Sequence, residues 1–368
     1  MTFPIRAALS RTVTARAILA AVSSFAWTGA AHAVVIHPVY DSSITSLSNA
    51  AQIEAAFNAV AKDYASSLAA PVTVNVGVSW GSVGGQSLPS SAVGASIDSL
   101  YGYFTYSQVK GFLTSSSAGN PTNTALATAL NYLPSTAPSG VSRYLVASSE
   151  AKALGLISGS QSSLDGSIGF AGSASSYAFS PGSVTSGKYD FSAVAAHELD
   201  EVLGRISGVD SQGSYRTPFD LFRYSAPGTL SYSYNSPSYF SIDGGKTALG
   251  RFNYSTSGGD RGDWATTSTT SDVQDAFISP GQRKNLLAVD FTVLDALGWG
   301  GSNLGNTATG TPGKIAFNLI RDPEAVPEPE SWLTMVAGFA LMGLCLRRRA
   351  KPLGPARRGR KPKAATGE

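Results

Sequence analysis

Two apolar segments, one near each end of the chain, limit which residues can fold as a water-soluble domain. The first spans residues 17–31, follows three arginines and ends in Ala31-His32-Ala33. This order matches a positively charged region, an apolar region and an A-x-A cleavage site. About 15 residues are short for a membrane span, and no stop-transfer pattern follows. We therefore expect residues 1–33 to be a signal peptide that is removed on export.

The second apolar segment, residues 332–346, follows Pro-Glu-Pro at 327–329 and precedes three arginines at 347–349. Arginines after an apolar helix place the tail on the cytoplasmic side of a membrane. This order resembles the PEP-CTERM sorting signal of Gram-negative, exopolysaccharide-producing bacteria. The resemblance implies an exosortase as processing partner, a transient stay in the inner membrane, and a mature protein at the cell surface or outside the cell. A plain membrane anchor is the alternative.

The body between these segments is acidic, although the whole chain carries a net charge of +3. Of the 27 basic residues, three precede position 34 and nine follow position 346, which leaves 15 against 23 acidic residues in 34–330. Nucleic-acid binding by the body is unfavourable, because phosphate contacts require a basic face. The single cysteine, Cys345, excludes a disulfide framework and a zinc finger. Only His37 and His197 remain in the mature chain, so a three-histidine metal site is excluded as well.

Residue periodicity predicts a body of the α+β class. Apolar residues at helical spacing predict a helix over 48–68, and alternating valines predict a strand over 72–79. Weaker patterns predict, in chain order, helices at 99–114 and 122–133, a strand at 143–147, a helix at 150–156, a strand at 165–170, a helix within 188–206, a strand at 219–224, a strand-turn-strand unit over 239–253 and a helix at 290–297 that begins with an aspartate cap.

The segment 191–205 carries the strongest chemical pattern in the sequence. His197 and Glu201 lie four residues apart and share one helix face, so they can converge on one ion, with Glu198 about a third of a turn away. In H-E-x-x-H helices two imidazoles hold zinc and the glutamate takes a proton from the bound water. Here a carboxylate replaces the second imidazole, and zinc accepts carboxylate ligands. The alternative is an amphipathic helix with solvated acids and no metal.

The order of these elements resembles the zincin metalloprotease fold. Three motifs, at residues 197–205, 220–228 and 239–245, resemble more closely a PEP-CTERM-associated zincin-like metalloprotease family with glutamate at the second ligand position. The resemblance spans roughly residues 36–300 and includes the Leu-Gly-Trp ending at Trp299. It implies a zincin-like domain, with a mixed twisted sheet and an active-site helix, that hydrolyses peptide bonds with zinc.

Departures from the metzincin pattern leave the third metal ligand to be found elsewhere. Ser207 stands at the last ligand position of that pattern, and no methionine lies in the body. Asp220, 19 residues past Glu201 at the start of a predicted strand, is the first choice for the third ligand. Asp210 and Asp243 follow it. A histidine with two carboxylates also leaves Mn and Fe open on ligand type, while zinc is what the resemblance implies.

The resemblance assigns Glu198 as the general base for water attack on a peptide carbonyl. Arg205, Arg223 and Tyr224 are candidate donors to the developing oxyanion, each with a structural role as its alternative. The acidic loop at 258–264 suggests either a calcium ligand set or a capped surface turn, and its spacing favours the turn.

These observations predict five segments: a signal peptide at 1–33, a zincin-like domain at 34–300, a linker at 301–326, a PEP-CTERM signal with a transmembrane segment at 327–349, and a basic tail at 350–368. The expected function is a secreted, surface-sorted, zinc-dependent endopeptidase with a protein or peptide substrate. The alternative is a non-catalytic matrix or adhesion protein of zincin origin, associated with exopolysaccharide.

Overall fold

The computed structural model describes residues 34–89, 92–210, 215–255, 258–267 and 270–301. Contacts divide the chain into two units, Met1–Ala30 and Ala31–Glu368, and all described residues belong to the second unit. The predicted signal peptide, sorting segment and tail, and the linker after Gly301, lie outside the described residues. Within the described ranges, no helix is both long and apolar enough to cross a bilayer.

The described part of the chain contains both α-helices and β-strands. The α-helices are α1 Ser42–Thr45, α2 Ala50–Ser67, α3 Tyr106–Gly119, α4 Thr124–Leu130, α5 Ser148–Ala153, α6 Phe191–Val202 and α7 Ala288–Ala296. The strands are β1 Val35–Tyr40, β2 Thr73–Trp80, β3 Ser82–Val83, β4 Gln86–Ser87, β5 Gly94–Asp98, β6 Leu100–Phe104, β7 Arg143–Ala147, β8 Gly166–Phe170, β9 Tyr177–Ala178, β10 Tyr189–Asp190, β11 Tyr215–Arg216, β12 Arg223–Ala226, β13 Thr229–Leu230, β14 Tyr239–Phe240 and β15 Gly250–Arg251. This mixed structure is consistent with the expected α+β class.

The sheet next to the site has the strand order β1-β2-β8-β5. The first three strands run parallel, and β5 pairs antiparallel with β8 at the edge, with Gly94 opposite Phe170 and Asp98 opposite Gly166. The alternating valines of β2 are buried, because one face of the sheet packs into the core. A three-stranded sheet, β11-β7-β6, and a four-stranded one, β13-β12-β14-β15, complete the larger pairings.

Helix α6 lies in the core and carries the His-Glu pattern. The Asp190 carboxylate caps its first turn by accepting hydrogen bonds from the N–H groups of Ser192 and Ala193. All twelve of its residues are buried, and it packs against β5, β8 and α2. The Tyr64 hydroxyl donates to the Ala196 carbonyl at 2.9 Å, and the Trp299 indole N–H donates to the Leu203 carbonyl at 2.8 Å. These two bonds join α6 to α2 and to the segment that directly follows α7.

Three local predictions differ from the structure, two in the type of element and one in its first residue. The first part of the helix expected at 99–114 is strand β6, and helix α3 begins only after the Thr105 cap. The strand expected at 219–224 begins with a 3-10 helix over Pro218–Phe222, so Asp220 lies in a helical turn and not at the start of a strand. Helix α7 begins at Ala288, and Asp290 reaches back to cap it by accepting from the Leu287 N–H at 2.7 Å.

Candidate metal centre

The side chains of His197, Glu201 and Asp263 meet beside helix α6. One potential ligand atom from each residue lies within 4.8 Å of those from the other two. All three residues are buried, with exposed fractions of 5%, 3% and 1%. Two carboxylates gathered in a buried place favour positive charge beside them, because burial of an uncompensated charge is costly. A divalent cation held by the three residues would supply such charge in addition to the nearby guanidinium of Arg205.

The hydrogen bond of the His197 ring determines which nitrogen can bind a metal. Its Nδ1 lies 2.8 Å from the carbonyl oxygen of Val273, which can only accept a hydrogen bond. Nδ1 therefore carries the hydrogen, and in the neutral ring Nε2 holds the lone pair. Nε2 lies 3.7 Å from Oδ1 of Asp263, on the side where the carboxylates gather. An Nδ1–H bond to a backbone carbonyl is the usual way in which a metal-binding histidine is oriented.

Strand β5 orients the second member of the group. The Ser96 hydroxyl donates a hydrogen bond of 2.6 Å to Oε2 of Glu201, and both residues are buried. A ligating carboxylate that is itself hydrogen-bonded is held in one rotamer and presents its other oxygen to the ion.

Glu198 lies against the same strand, one residue after His197. A Cβ atom added to Gly94 would lie 2.5 Å from Oε1 of Glu198 and 2.6 Å from Cγ1 of Val194. Only glycine therefore leaves room for the Glu198 carboxylate at this position. Because residues of a strand alternate between its faces, Gly94 and Ser96 lie on the face of β5 that contacts α6.

A small pocket opens beside His197 and Glu198. Strand β5 and the residue before it form one wall with Val93 and Gly94, and helix α6 forms a second with Ala193 and Val194. The third wall comes from the segment 273–278. His197 and Glu198 line this pocket, so a small molecule that enters it would meet the imidazole and the carboxylate of the H-E pair.

The buried guanidinium of Arg205 lies beside the carboxylate of Asp263. Its guanidinium Nη1 lies 3.8 Å from Oδ1 of Asp263, and it donates to the side chain of Gln274. The guanidinium also lies over the ring of Trp264, 4.4 Å from its centroid. Gln274 in turn donates to Asp200 at 2.8 Å. Burial, together with the charge of Asp290, raises the pKa of Asp200 to about 8.

The structure does not place Asp220, the expected third ligand, in this group. Its carboxylate accepts hydrogen bonds from the Ser207 hydroxyl at 2.6 Å and from the N–H groups of Gly208 and Thr217 at 2.8 Å and 2.9 Å. It thereby holds together the loop after α6 and the 3-10 helix at Pro218–Phe222. The sequence predicted Asp220 at the start of a strand, whereas it lies in a capped helical turn.

The other two candidates also support local backbone structure. Asp210 accepts from the Arg261 N–H at 2.9 Å and 3.1 Å, and burial raises its pKa to about 7. Asp243 is partly exposed and accepts from Ser241 and Thr247. Partial burial opposes ionisation of Asp243, but these hydrogen bonds outweigh it and lower its pKa.

The third member of the group, Asp263, comes from the loop at 258–264, for which the sequence favoured a surface turn. Asp263 and its neighbours Arg261 and Trp264 are buried, and the Asp263 carbonyl accepts from the Asn253 N–H at 2.8 Å. No spacing rule links Asp263 to α6, because the loop reaches the helix only through tertiary packing. The one sequence signal was an aspartate directly before a tryptophan, which suggests burial for both.

The proposed oxyanion donors Arg223 and Tyr224 do not line the pocket. Arg223 is buried, donates to the Ser238 hydroxyl at 2.7 Å and lies over the ring of Phe252. Burial lowers its pKa to about 10 and raises the pKa of Tyr224 to about 12. Their contacts therefore fit a structural role better than a role as oxyanion donors. Of the three candidates, Arg205 is the one that approaches the metal group, through Asp263.

The residues of this group fit a first-row divalent metal ion. The imidazole Nε2 of His197 and two carboxylates make three protein ligands, which leaves positions for water as in catalytic zinc sites. The supporting hydrogen bonds from His197 to Val273 and from Ser96 to Glu201 are those that orient such ligands. The arrangement defines a candidate metal centre with an adjacent carboxylate, Glu198, on the pocket side.

Comparison with known proteins identifies the C-terminal segment. The model of the PEP-CTERM protein-sorting motif matches residues 325–349. This motif directs sorting to the surface of Gram-negative bacteria after export, and exosortases process it in general, as the sequence predicted. No curated protein matches the chain significantly, and no solved structure does. The resemblance of the body to zincins therefore stays a prediction.

Proposed function

We propose that this chain is an exported, surface-sorted, metal-dependent endopeptidase in which His197, Glu201 and Asp263 hold a zinc ion. The meeting of these three buried side chains carries the proposal. Zinc is preferred because the resemblance implies it, while a set of one nitrogen and two oxygen ligands also suits manganese or iron.

A bound zinc ion would act as a Lewis acid that polarises a substrate carbonyl and makes a coordinated water more acidic. Within the chain, Glu198 would accept a proton from that water at Oε1 or Oε2 and later give it to the leaving amine. Gly94 lets the Glu198 carboxylate lie between strand β5 and helix α6. Val273 and Ser96 keep the imidazole of His197 and the carboxylate of Glu201 in their binding orientations.

Arg205 has a separate part in this proposal. It lies behind Asp263 and contacts Gln274 and Trp264, away from the lining of the pocket. Its charge offsets part of the negative charge of the carboxylates that would hold the metal. We therefore assign it to support of the centre and not to contact with substrate.

Metal stoichiometry tests the proposal directly. Elemental mass spectrometry of the purified chain should find about one zinc per chain. His197→Ala, Glu201→Gln and Asp263→Asn should each lose most of it. Asp220→Asn and Asp243→Asn remove a carboxylate charge outside the group and should retain the metal, so they serve as matched controls. Loss in Asp220→Asn with retention in Asp263→Asn would contradict the assignment of the third ligand.

Glu198→Gln separates catalysis from metal binding. This variant should keep its zinc and lose hydrolysis of a casein or fluorogenic peptide substrate by about a hundredfold or more. Unchanged hydrolysis would refute the role of Glu198. A chain that binds no metal even after reconstitution would instead support the alternative, a matrix or adhesion protein associated with exopolysaccharide.

A further inference from the structure

The pocket beside Glu198 is enclosed mainly by small or aliphatic side chains. Val93 and Gly94 lie on one side, Ala193 and Val194 on the helix, and Ala276, Phe277 and Ile278 on the third wall. The one acidic residue of that wall is Asp275. Its carboxylate already accepts from the Lys284 ammonium at 2.6 Å and from the Asp272 N–H at 3.3 Å. The third wall therefore offers apolar contact, and its one carboxylate is already paired with an ammonium group.

The size of the pocket limits what it can hold. Its cavity volume is about 30 Å³, and on this measure one water molecule needs roughly 10 to 15 Å³. The space thus suits a methyl or an isopropyl group. A leucine or phenylalanine side chain would have to displace the third wall, where Phe277 and Ile278 are half-buried and Ile278 packs against the hydrophobic core.

We propose that this pocket selects substrates with a small apolar residue, alanine or valine, beside the scissile bond, and that Phe277 and Ile278 set this limit. The inference rests on the proposed function, because the pocket matters to specificity only if His197 and Glu198 belong to a reaction centre. It adds a substrate class to that function: proteins or peptides with alanine or valine at the cleaved position.

Binding of hydroxamates tests the inference without relying on turnover. The probes are the N-acetyl hydroxamates of glycine, alanine, valine, leucine and phenylalanine, titrated into the zinc-loaded full chain by calorimetry. The hydroxamate group chelates zinc in each compound, so differences between compounds report the side chain alone. We expect the alanine and valine compounds to bind about tenfold or more tightly than the leucine and phenylalanine compounds.

The variant Phe277→Ala/Ile278→Ala removes two side chains from the third wall and so enlarges the pocket. In this variant the leucine compound should bind at least as tightly as the alanine compound. Phe112→Ala/Ile242→Ala removes the same two side-chain types from half-buried positions outside the pocket and should leave the ranking unchanged. If the double variant fails to fold, either single variant gives the same comparison.

Two results would overturn the inference and leave the proposed function standing. One is equal or tighter binding of the leucine and phenylalanine compounds by the parent chain, and the other is an unchanged ranking in the enlarged variant. If the chain contains no zinc by elemental mass spectrometry and binds none of the five compounds, the proposed function fails, and the inference fails with it.

Discussion

Gly94 brings strand β5 directly against the carboxylate of Glu198. Its φ is not in the left-handed region, so alanine is compatible with its backbone, and the effect of the substitution is steric. Gly94→Ala should displace Glu198 and lower peptide hydrolysis by about tenfold to a hundredfold, since a misplacement of 1 Å can have that effect. Zinc content should stay unchanged, because the three atoms nearest to the added methyl group belong to Glu198 and Val194 and not to the proposed ligands.

The matched control for this substitution is Gly111→Ala in helix α3, where an added Cβ meets nothing within 4 Å. Alanine at an open helical position is neutral or slightly stabilising. Equal activity of Gly94→Ala and Gly111→Ala in a fluorogenic peptide assay would show that Glu198 does not depend on the close contact with β5.

Ser96 offers a second test at the residue scale, which concerns the proposed metal ligand Glu201 and not the proposed general base Glu198. Ser96→Ala removes the 2.6 Å hydrogen bond to Glu201 without adding volume. Loss of such an outer hydrogen bond weakens metal binding by roughly tenfold to a hundredfold. Competition with a fluorescent zinc chelator measures this change. Ser99→Ala, which removes a hydroxyl bonded to the Leu164 carbonyl just beyond β5, should leave the zinc affinity as it is.

At the scale of elements, the end of α6 depends on Trp299. The indole N–H of this fully buried residue donates to the carbonyl of Leu203 directly after the last turn of α6. Trp299→Phe keeps an aromatic ring but leaves a buried carbonyl without its donor, which costs about 1 to 3 kcal/mol. Urea denaturation should show this loss.

Trp80→Phe is the control, because the indole N–H of Trp80 also donates to a backbone carbonyl, that of Gly172, but in a solvent-exposed bond. Water can replace the lost donor there, so the free energy of unfolding should fall by less than in Trp299→Phe. A larger loss in Trp80→Phe would contradict the assignment of Trp299 as the residue that joins α7 to α6.

The elements that the sequence predicted are those whose pattern is local. Periodicity located α2, β2 and α6 to within a few residues, because each has a buried face that repeats at helical or strand spacing. Strand β6 was missed, since the alternation in five residues is too short to outweigh the helical pattern that follows it. The same limit applied at Pro218–Phe222, where an aspartate cap produces a 3-10 helix.

The residues of the candidate site also fall into those that a local pattern predicts and those that only tertiary packing brings together. His197, Glu198 and Glu201 follow from spacing on one helix, so the sequence could place them together. Asp263 and Ser96 reach them from a distant loop and from the edge strand, and these contacts depend on tertiary packing. Asp220 was chosen by proximity in sequence, which carries no information about where a loop side chain finally points.

For the whole molecule, the buried acids outside the metal group predict an unusual dependence of stability on pH. Burial raises the pKa of Asp190 to about 7 and that of Asp295 to about 6, both from an ordinary value of 3.8. The folded chain then binds more protons than the unfolded chain between these values. The stability that these groups contribute is complete below about pH 4 and is lost as the pH rises to about 7.

We therefore expect the free energy of unfolding of the metal-free chain to fall between pH 4.5 and 8. The free energy of unfolding of Asp190→Asn/Asp295→Asn should fall less, by up to about 5 kcal/mol over this range, because asparagine does not ionise and one pKa unit corresponds to about 1.4 kcal/mol. Urea denaturation at each pH, with a chelator present to remove the effect of pH on metal binding, measures both slopes.

Asp243→Asn is the control: hydrogen bonds lower the pKa of this aspartate despite its partial burial, so its ionisation lies below the tested range. Parallel slopes for the parent and the double variant would mean that Asp190 and Asp295 titrate at the same pH in the folded and unfolded chains.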